Sequence, residues 1–177
     1  MILTFPFFLP SLSFLFWSND LQSATIERLT LTASVVGGPP KTTVVGSDSS
    51  SSSSSSPRLL LLEVLALTVD PALNYLLWAD RGGAGSIEYS DLDGRHRQVL
   101  YSEPNIEPVA LTTHARLLFW AEGRARRTVE KVPLDLNQGR NKQTLFKRTT
   151  LISDLIAVQP PPRIQKGNST SRNCLVS

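Results

Sequence analysis

Three tryptophans in this chain sit in near-identical apolar runs, "FLFWSND" around Trp17, "YLLWAD" around Trp78 and "LLFWAE" around Trp120. Ten residues after each comes a glutamate preceded by a β-branched residue: Ile26-Glu27, Ile87-Glu88 and Val129-Glu130. One offset kept three times marks an internal repeat, so the chain reads as copies of one small unit.

The likeness extends in both directions. Four residues after each glutamate stands a leucine (Leu31, Leu92, Leu134), and apolar pairs follow at Val44-Val45, Val99-Leu100 and Leu145-Phe146. Upstream, a Leu-Thr pair recurs at Leu3-Thr4, Leu67-Thr68 and Leu111-Thr112. In the second unit this predicts four extended runs, Leu65 to Val69, Tyr75 to Ala79, Ser86 to Leu92 and Arg97 to Tyr101. Asp70-Pro71, Gly82 to Gly85 and Asp93-Gly94 separate them with turn chemistry. Along Ser86 to Leu92, Ile87 and Tyr89 face one way and Glu88, Ser90 and Leu92 the other. Helical spacing finds little support in any unit.

Trp78 and Trp120 are 42 residues apart, the size of one four-stranded propeller blade. Trp17 and Trp78 are 61 apart, and the excess has a visible source in the unbroken serines Ser49 to Ser56. Such a tract buries no apolar surface and reads as a disordered insertion between blades. The fold class is therefore all-β: about three four-stranded blades of a partial β-propeller.

These residues resemble the YWTD repeats, also called class B repeats, of the low-density lipoprotein receptor and related receptors. Trp17-Ser18-Asn19, Trp78-Ala79-Asp80 and Trp120-Ala121-Glu122 stand where that family has Trp-Thr-Asp, and "SIEYSDLDGRHRQVL" follows the family's Ile-Glu, Leu-Asp-Gly and Val-Leu run. The motif's threonine is absent from all three copies, and its aspartate survives only as Asp80. The end of the chain, "SDLIAVQPPPRIQKGNSTSRNC", is similar to the segment that closes such a propeller and leads into an EGF-like module, with Cys174 as that module's first cysteine. The resemblance implies the last three of six blades: a first blade at 1–45, a Ser-rich insertion at 46–57, a second blade at 58–102, a third blade with its closing strand at 103–160, and a tail at 161–177 leading to a truncated EGF-like module.

Other function classes find little support. The net charge is +3, and the denser basic groups, Arg124, Arg126 and Arg127 and then Arg140, Lys142, Lys147 and Arg148, lack interleaved aromatics or a recognition helix. They read as solvated loops, and nucleic acid is not an expected partner. The single cysteine can form no internal disulfide or Cys-based metal site. The apolar run Ile2 to Trp17 is similar to a secretion signal. No basic residue precedes it, Pro6 and Pro10 interrupt it, and it falls short of the ~20 residues that span a bilayer. The expectation is neither a convincing signal peptide nor a transmembrane segment.

Burial of each tryptophan is worth on the order of 2 to 3 kcal/mol, so Trp17, Trp78 and Trp120 are expected to pack between blades. Asn19, Asp80 and Glu122 suit acceptance of backbone hydrogen bonds in turns. Glu27, Glu88 and Glu130 fall on different blades and read as paired surface charges. The glycines at 82–85 lack GxGxxG spacing and a following helix, which leaves a hairpin loop. His96 and His114 have no ligand-spaced companions and no nucleophile beside them, so neither a metal, a cofactor nor a catalytic residue is expected. Asn168-Ser169-Thr170 is an N-glycosylation sequon.

By resemblance, the chain is expected to be a non-enzymatic extracellular portion of a cell-surface, lipoprotein-receptor-related endocytic or signalling receptor. Its partners would be extracellular protein ligands and neighbouring EGF-like modules. The alternative is a structural scaffold of a nidogen-like matrix or EGF-precursor-like protein. A hydrolase-type propeller would need calcium-ligating carboxylates and asparagines around a central channel, and no such set can be assembled.

Overall fold

A computed structural model describes residues 2–4, 14–19, 24–31, 41–46, 61, 63–82, 85–123, 126–135, 141–150 and 152–158. The serine tract, Arg124, Arg140, Asn168 and Cys174 lie outside them.

The fold is all-β, with three four-stranded antiparallel sheets, each built from consecutive strands. Sheet one contains β1 (Ile2–Thr4), β2 (Phe14–Asn19), β3 (Thr25–Thr30) and β4 (Lys41–Gly46). Sheet two contains β5 (Val64–Asp70), β6 (Tyr75–Asp80), β7 (Ser86–Asp91) and β8 (Gln98–Ser102). Sheet three contains β9 (Pro108–His114), β10 (Leu117–Glu122), β11 (Thr128–Pro133) and β12 (Gln143–Lys147). In sheet two the strands begin and end within one residue of the runs expected from the turns. The meander order and the three repeated sheets are those of a partial propeller.

The register explains the ten-residue spacing. Trp17 pairs with Glu27, Trp78 with Glu88 and Trp120 with Glu130, directly across the central hairpin of each sheet. The pairing with the fourth strand then slips at the same place in all three, between Ile26 and Glu27, Ile87 and Glu88, and Val129 and Glu130. Such a shared bulge adds twist at one fixed point of every sheet. The Leu-Thr pair is less regular: Leu67 and Leu111 oppose Trp78 and Trp120, but Leu3 opposes Phe16.

The core lies between sheets. One apolar cluster joins Phe16, Ile26 and Val45 of sheet one to Leu67, Leu76 and Trp78 of sheet two. A second joins Leu77, Ile87 and Tyr89 of sheet two to Leu118, Trp120 and Val132 of sheet three. β5 and β9, the first strands of sheets two and three, run beside each other. Alternate residues of sheet two thus enter two different cores, and Glu88 and Ser90 are buried along with Ile87 and Tyr89. The alternation expected along Ser86 to Leu92 holds, with Ile87 and Tyr89 in one core and Leu92 packed against the other, and the strand is covered on both faces.

Two turns depend on backbone freedom. Gly94 has φ +80, and a Cβ there would lie 1.8 Å from the Val44 carbonyl oxygen of sheet one. The Asp93-Gly94 turn therefore seats against the neighbouring blade because glycine has no side chain. Between β9 and β10, Ala115 and Arg116 both adopt positive φ, 49° and 63°, in a two-residue hairpin usually given to Asn-Gly. Beyond β12, residues 152–158 form no strand, and Ala157 N–H instead donates to the Thr112 hydroxyl at 3.2 Å.

Candidate functional site

Each tryptophan lies on the face of its sheet that carries the opposing glutamate. Trp78 and Trp120 are fully buried, Trp78 against sheet one and Trp120 against sheet two. Trp17 is only half-buried, because no described sheet covers that face of sheet one.

The glutamates correct the surface-charge expectation: Glu27, Glu88 and Glu130 are all buried, at 7%, 2% and 2% exposure. A carboxylate removed from water needs a partner, and the fourth strand or the residue just before it supplies one. Lys41 Nζ lies 2.7 Å from Glu27 Oε1 and 5.8 Å from the Trp17 ring centroid. Arg97 Nε lies 2.6 Å from Glu88 Oε2, with its guanidinium 5.4 Å from the Trp78 centroid. Each cation stands two residues before the one opposite the glutamate, Thr43 or Val99, and Lys142 holds the same place before Thr144. In sheet three the Thr144 hydroxyl donates to Glu130 Oε2 at 2.8 Å, and Lys142 turns elsewhere.

Lys142 Nζ reaches Glu103 Oε2, at the end of sheet two, at 2.5 Å. Arg126 Nη2 approaches Glu103 Oε1 at 2.7 Å, and the Tyr101 hydroxyl donates to Oε2 at 2.6 Å. The Lys142 ammonium, with the Tyr101 hydroxyl and Arg126 behind it, holds the Glu103 carboxyl at about 2, against partial burial. Burial, and then the Glu103 carboxylate, push the Tyr101 phenol up. Tyr101 also packs on Trp120, with ring centroids 5.3 Å apart. Two members of the basic groups read as solvated loops are thus parts of a seam between sheets, and Lys147 lies in β12.

The acid two residues after Trp78 and Trp120 ties sheets two and three to the chain entering each of them. Asp80 Oδ1 accepts from Glu63 N–H at 3.0 Å and Gly82 N–H at 2.9 Å. Glu122 Oε2 accepts from Glu107 N–H at 3.1 Å, and its other oxygen takes the Trp120 indole N–H at 2.8 Å. Asn19 ends β2 opposite Thr25. Arg81 bridges the seam, 3.2 Å from Glu63 and 2.7 Å from Glu107. Arg28 does the same between sheets one and two, 2.6 Å from Asp93.

Sequence reasoning missed Lys41, Arg97, Lys142 and Glu103. Their distance from the repeated glutamates varies with loop length, so no fixed spacing announces them.

The histidines stay apart. His96 Nδ1 is 3.2 Å from Asp91 Oδ2, and His114 helps Asp70, Thr113 and Arg116 line an open groove of about 650 Å³. Burial pushes the Asp91 carboxyl up, but the Arg95 amide, the His96 ring and the Asp93 amide together leave it below its ordinary value. The described glycines of 82–85 form a turn in the β6–β7 hairpin, Gly85 N–H donating to Gly82 O at 3.0 Å. Among the described residues, no group of three or more His, Cys, Asp or Glu is placed to hold a metal, and no helix is long and apolar enough to cross a membrane.

No protein-family model matches the chain. Over 94 residues, 53% of its length, it is 34% identical to low-density lipoprotein receptor-related protein 4 of Homo sapiens, with the same figures for Mus musculus. It is 32% identical over 99 residues, 56% of its length, to low-density lipoprotein receptor-related protein 5 of Mus musculus. The similarity supports a relation to the low-density lipoprotein receptor-related proteins over about half the chain. The chain spans only 5% and 6% of the length of these relatives.

Proposed function

We propose that this chain is a three-blade YWTD-type propeller segment of an extracellular receptor related to the low-density lipoprotein receptor-related proteins. In this reading it binds protein ligands, docks neighbouring EGF-like modules and performs no catalysis of its own. The observation that carries the reading is the Trp–Glu cross-strand pair repeated at one register in three sheets, together with similarity to receptor-related proteins over half the chain. Trp17, Trp78 and Trp120 with Glu27, Glu88 and Glu130 then serve as blade-to-blade packing, as do Asn19, Asp80 and Glu122. Asn168 would carry a glycan and Cys174 would open the following module. The segments 1–45, 58–102 and 103–160 act as the blades, with 46–57 as a linking insertion.

The test is antibody labelling of the native protein on live, unpermeabilised cells. Surface label that moves inside at 37 °C but not at 4 °C is the expected result for an endocytic receptor. Label that remains on the dish after the cells are lifted off would favour the nidogen-like scaffold, and label seen only after permeabilisation would sink both.

A further inference from the structure

Charge is unevenly placed along this chain. From Gly123 onward stand eleven of the 18 Lys and Arg residues but only three of the 15 carboxylates, giving +8 there against −5 for the residues before it. Many described cations in the sheets are matched, as Arg28 is with Asp93, Arg97 with Glu88 and Lys142 with Glu103. One corner of sheet three is not. Arg127, Lys147 and Arg148 are exposed and form no ion pair with a carboxylate among the described residues.

The backbone forces this group together. Arg148 N–H donates to the Arg127 carbonyl at 2.8 Å, next to the Thr128–Lys147 pair, so two arginines oppose each other just beyond the ends of β11 and β12. Like charges placed opposite one another destabilise a sheet. Arg127 also sits at φ 54, a left-handed conformation that costs any residue with a Cβ. Phe146, opposite Val129 on the edge strand, is 44% exposed, with the Arg148 guanidinium 5.5 Å from its ring centroid. An unfavourable backbone and opposed like charges meet beside a partly exposed ring, and what the fold sets against them is the hydrogen bond from Arg127 Nη1 to the Thr149 carbonyl at 2.8 Å and the stacking of Arg148 on Phe146. Local rules are broken in this way where a site is built for something outside the chain.

We propose that Arg127, Lys147, Arg148 and Phe146 form a docking surface for a linear sulfated polysaccharide. Forked guanidinium donors match sulfate oxygens, and the phenyl ring offers a face for the sugar C–H groups. The cations border the outermost strand of the sheet, an open surface suited to an extended polyanion. The choice of a sulfated glycan over a nucleic acid rests on the extracellular reading above.

The test is titration of the purified chain with heparin octasaccharide at two salt concentrations. Saturable binding is expected, weakening at least tenfold between about 0.05 and 0.3 M salt as the charges are screened. Arg127→Ala combined with Arg148→Ala should weaken it by about tenfold or more, while Arg95→Ala with Arg116→Ala, an equal loss of exposed charge elsewhere, should change it by less than about twofold. Arg127→Gly should weaken binding with little change in melting temperature, since relief of the positive φ offsets the lost Thr149 hydrogen bond, a pairing that a purely structural arginine would not give. Equal losses in the two double variants, or tighter binding of single-stranded DNA of matched charge, would overturn the proposal. Since the purified chain is used, this result is independent of where the cell places the protein.

Discussion

The indole of Trp120 donates to Glu122 at 2.8 Å, whereas the equivalent indole Nε1 of Trp78 is buried with no acceptor among the described residues. The difference is one methylene. Asp80 spends its reach on the backbone of Glu63 and Gly82, while Glu122 serves both the backbone and the ring.

Asp80→Glu should therefore supply the missing acceptor and stabilise the chain by about 1 kcal/mol, and Glu122→Asp should cost about 1–3 kcal/mol. Thermal melts check both, with shifts of roughly 2–4 °C per kcal/mol for a chain of this size. Equal behaviour of the two substitutions would exclude the explanation.

Glu103 gives a pH dependence with a fixed sign. Its folded value, about 2, lies below the ordinary 4.5, so its contribution is fully present above about pH 4.5 and is lost as pH falls towards 2. Discounted for partial solvent exposure, that contribution is on the order of 1–2 kcal/mol. Urea melts between pH 6 and 2.5 should show the wild type losing more stability than Glu103→Gln, the two curves converging at the acid end.

The Ala115-Arg116 turn stores strain that a better turn sequence removes. Ala115→Asn with Arg116→Gly should stabilise by about 1–2 kcal/mol, since both positions hold positive φ. A raised urea midpoint with an unchanged slope is the expected reading.

Gly94→Ala should act at the boundary between sheets one and two. The new methyl group meets the Val44 carbonyl and also faces a positive φ, so a loss of about 2–4 kcal/mol is expected. Hydrogen exchange should find the backbone amides of β4, around Val44, less protected in the variant than in the wild type.

The three-sheet architecture could be read from the chain because a hairpin register converts distance along the sequence into distance in space. Trp78 and Glu88 stay opposite each other as long as the intervening turn keeps its length. Burial of Glu88 could not be read in the same way. Period-two alternation assumes one wet face, and a strand between two neighbouring sheets has none. The half-exposure of Trp17 has a similar origin, because it keeps the same register with its glutamate and lacks a described neighbouring sheet on that face. Lys142 was hidden for a further reason. Its place in the sheet matches those of Lys41 and Arg97, but the Thr144 hydroxyl answers Glu130 and frees it for Glu103.

That rerouting makes the two seams unequal. Sheets two and three are stitched by Lys142 and Arg126 on Glu103 and by Arg81 between Glu63 and Glu107. Sheets one and two share the Arg28–Asp93 pair and a glycine that leaves room for a carbonyl. Under mechanical load the stack is expected to part where its apolar cluster and one ion pair hold it, sheet one peeling away before sheets two and three separate.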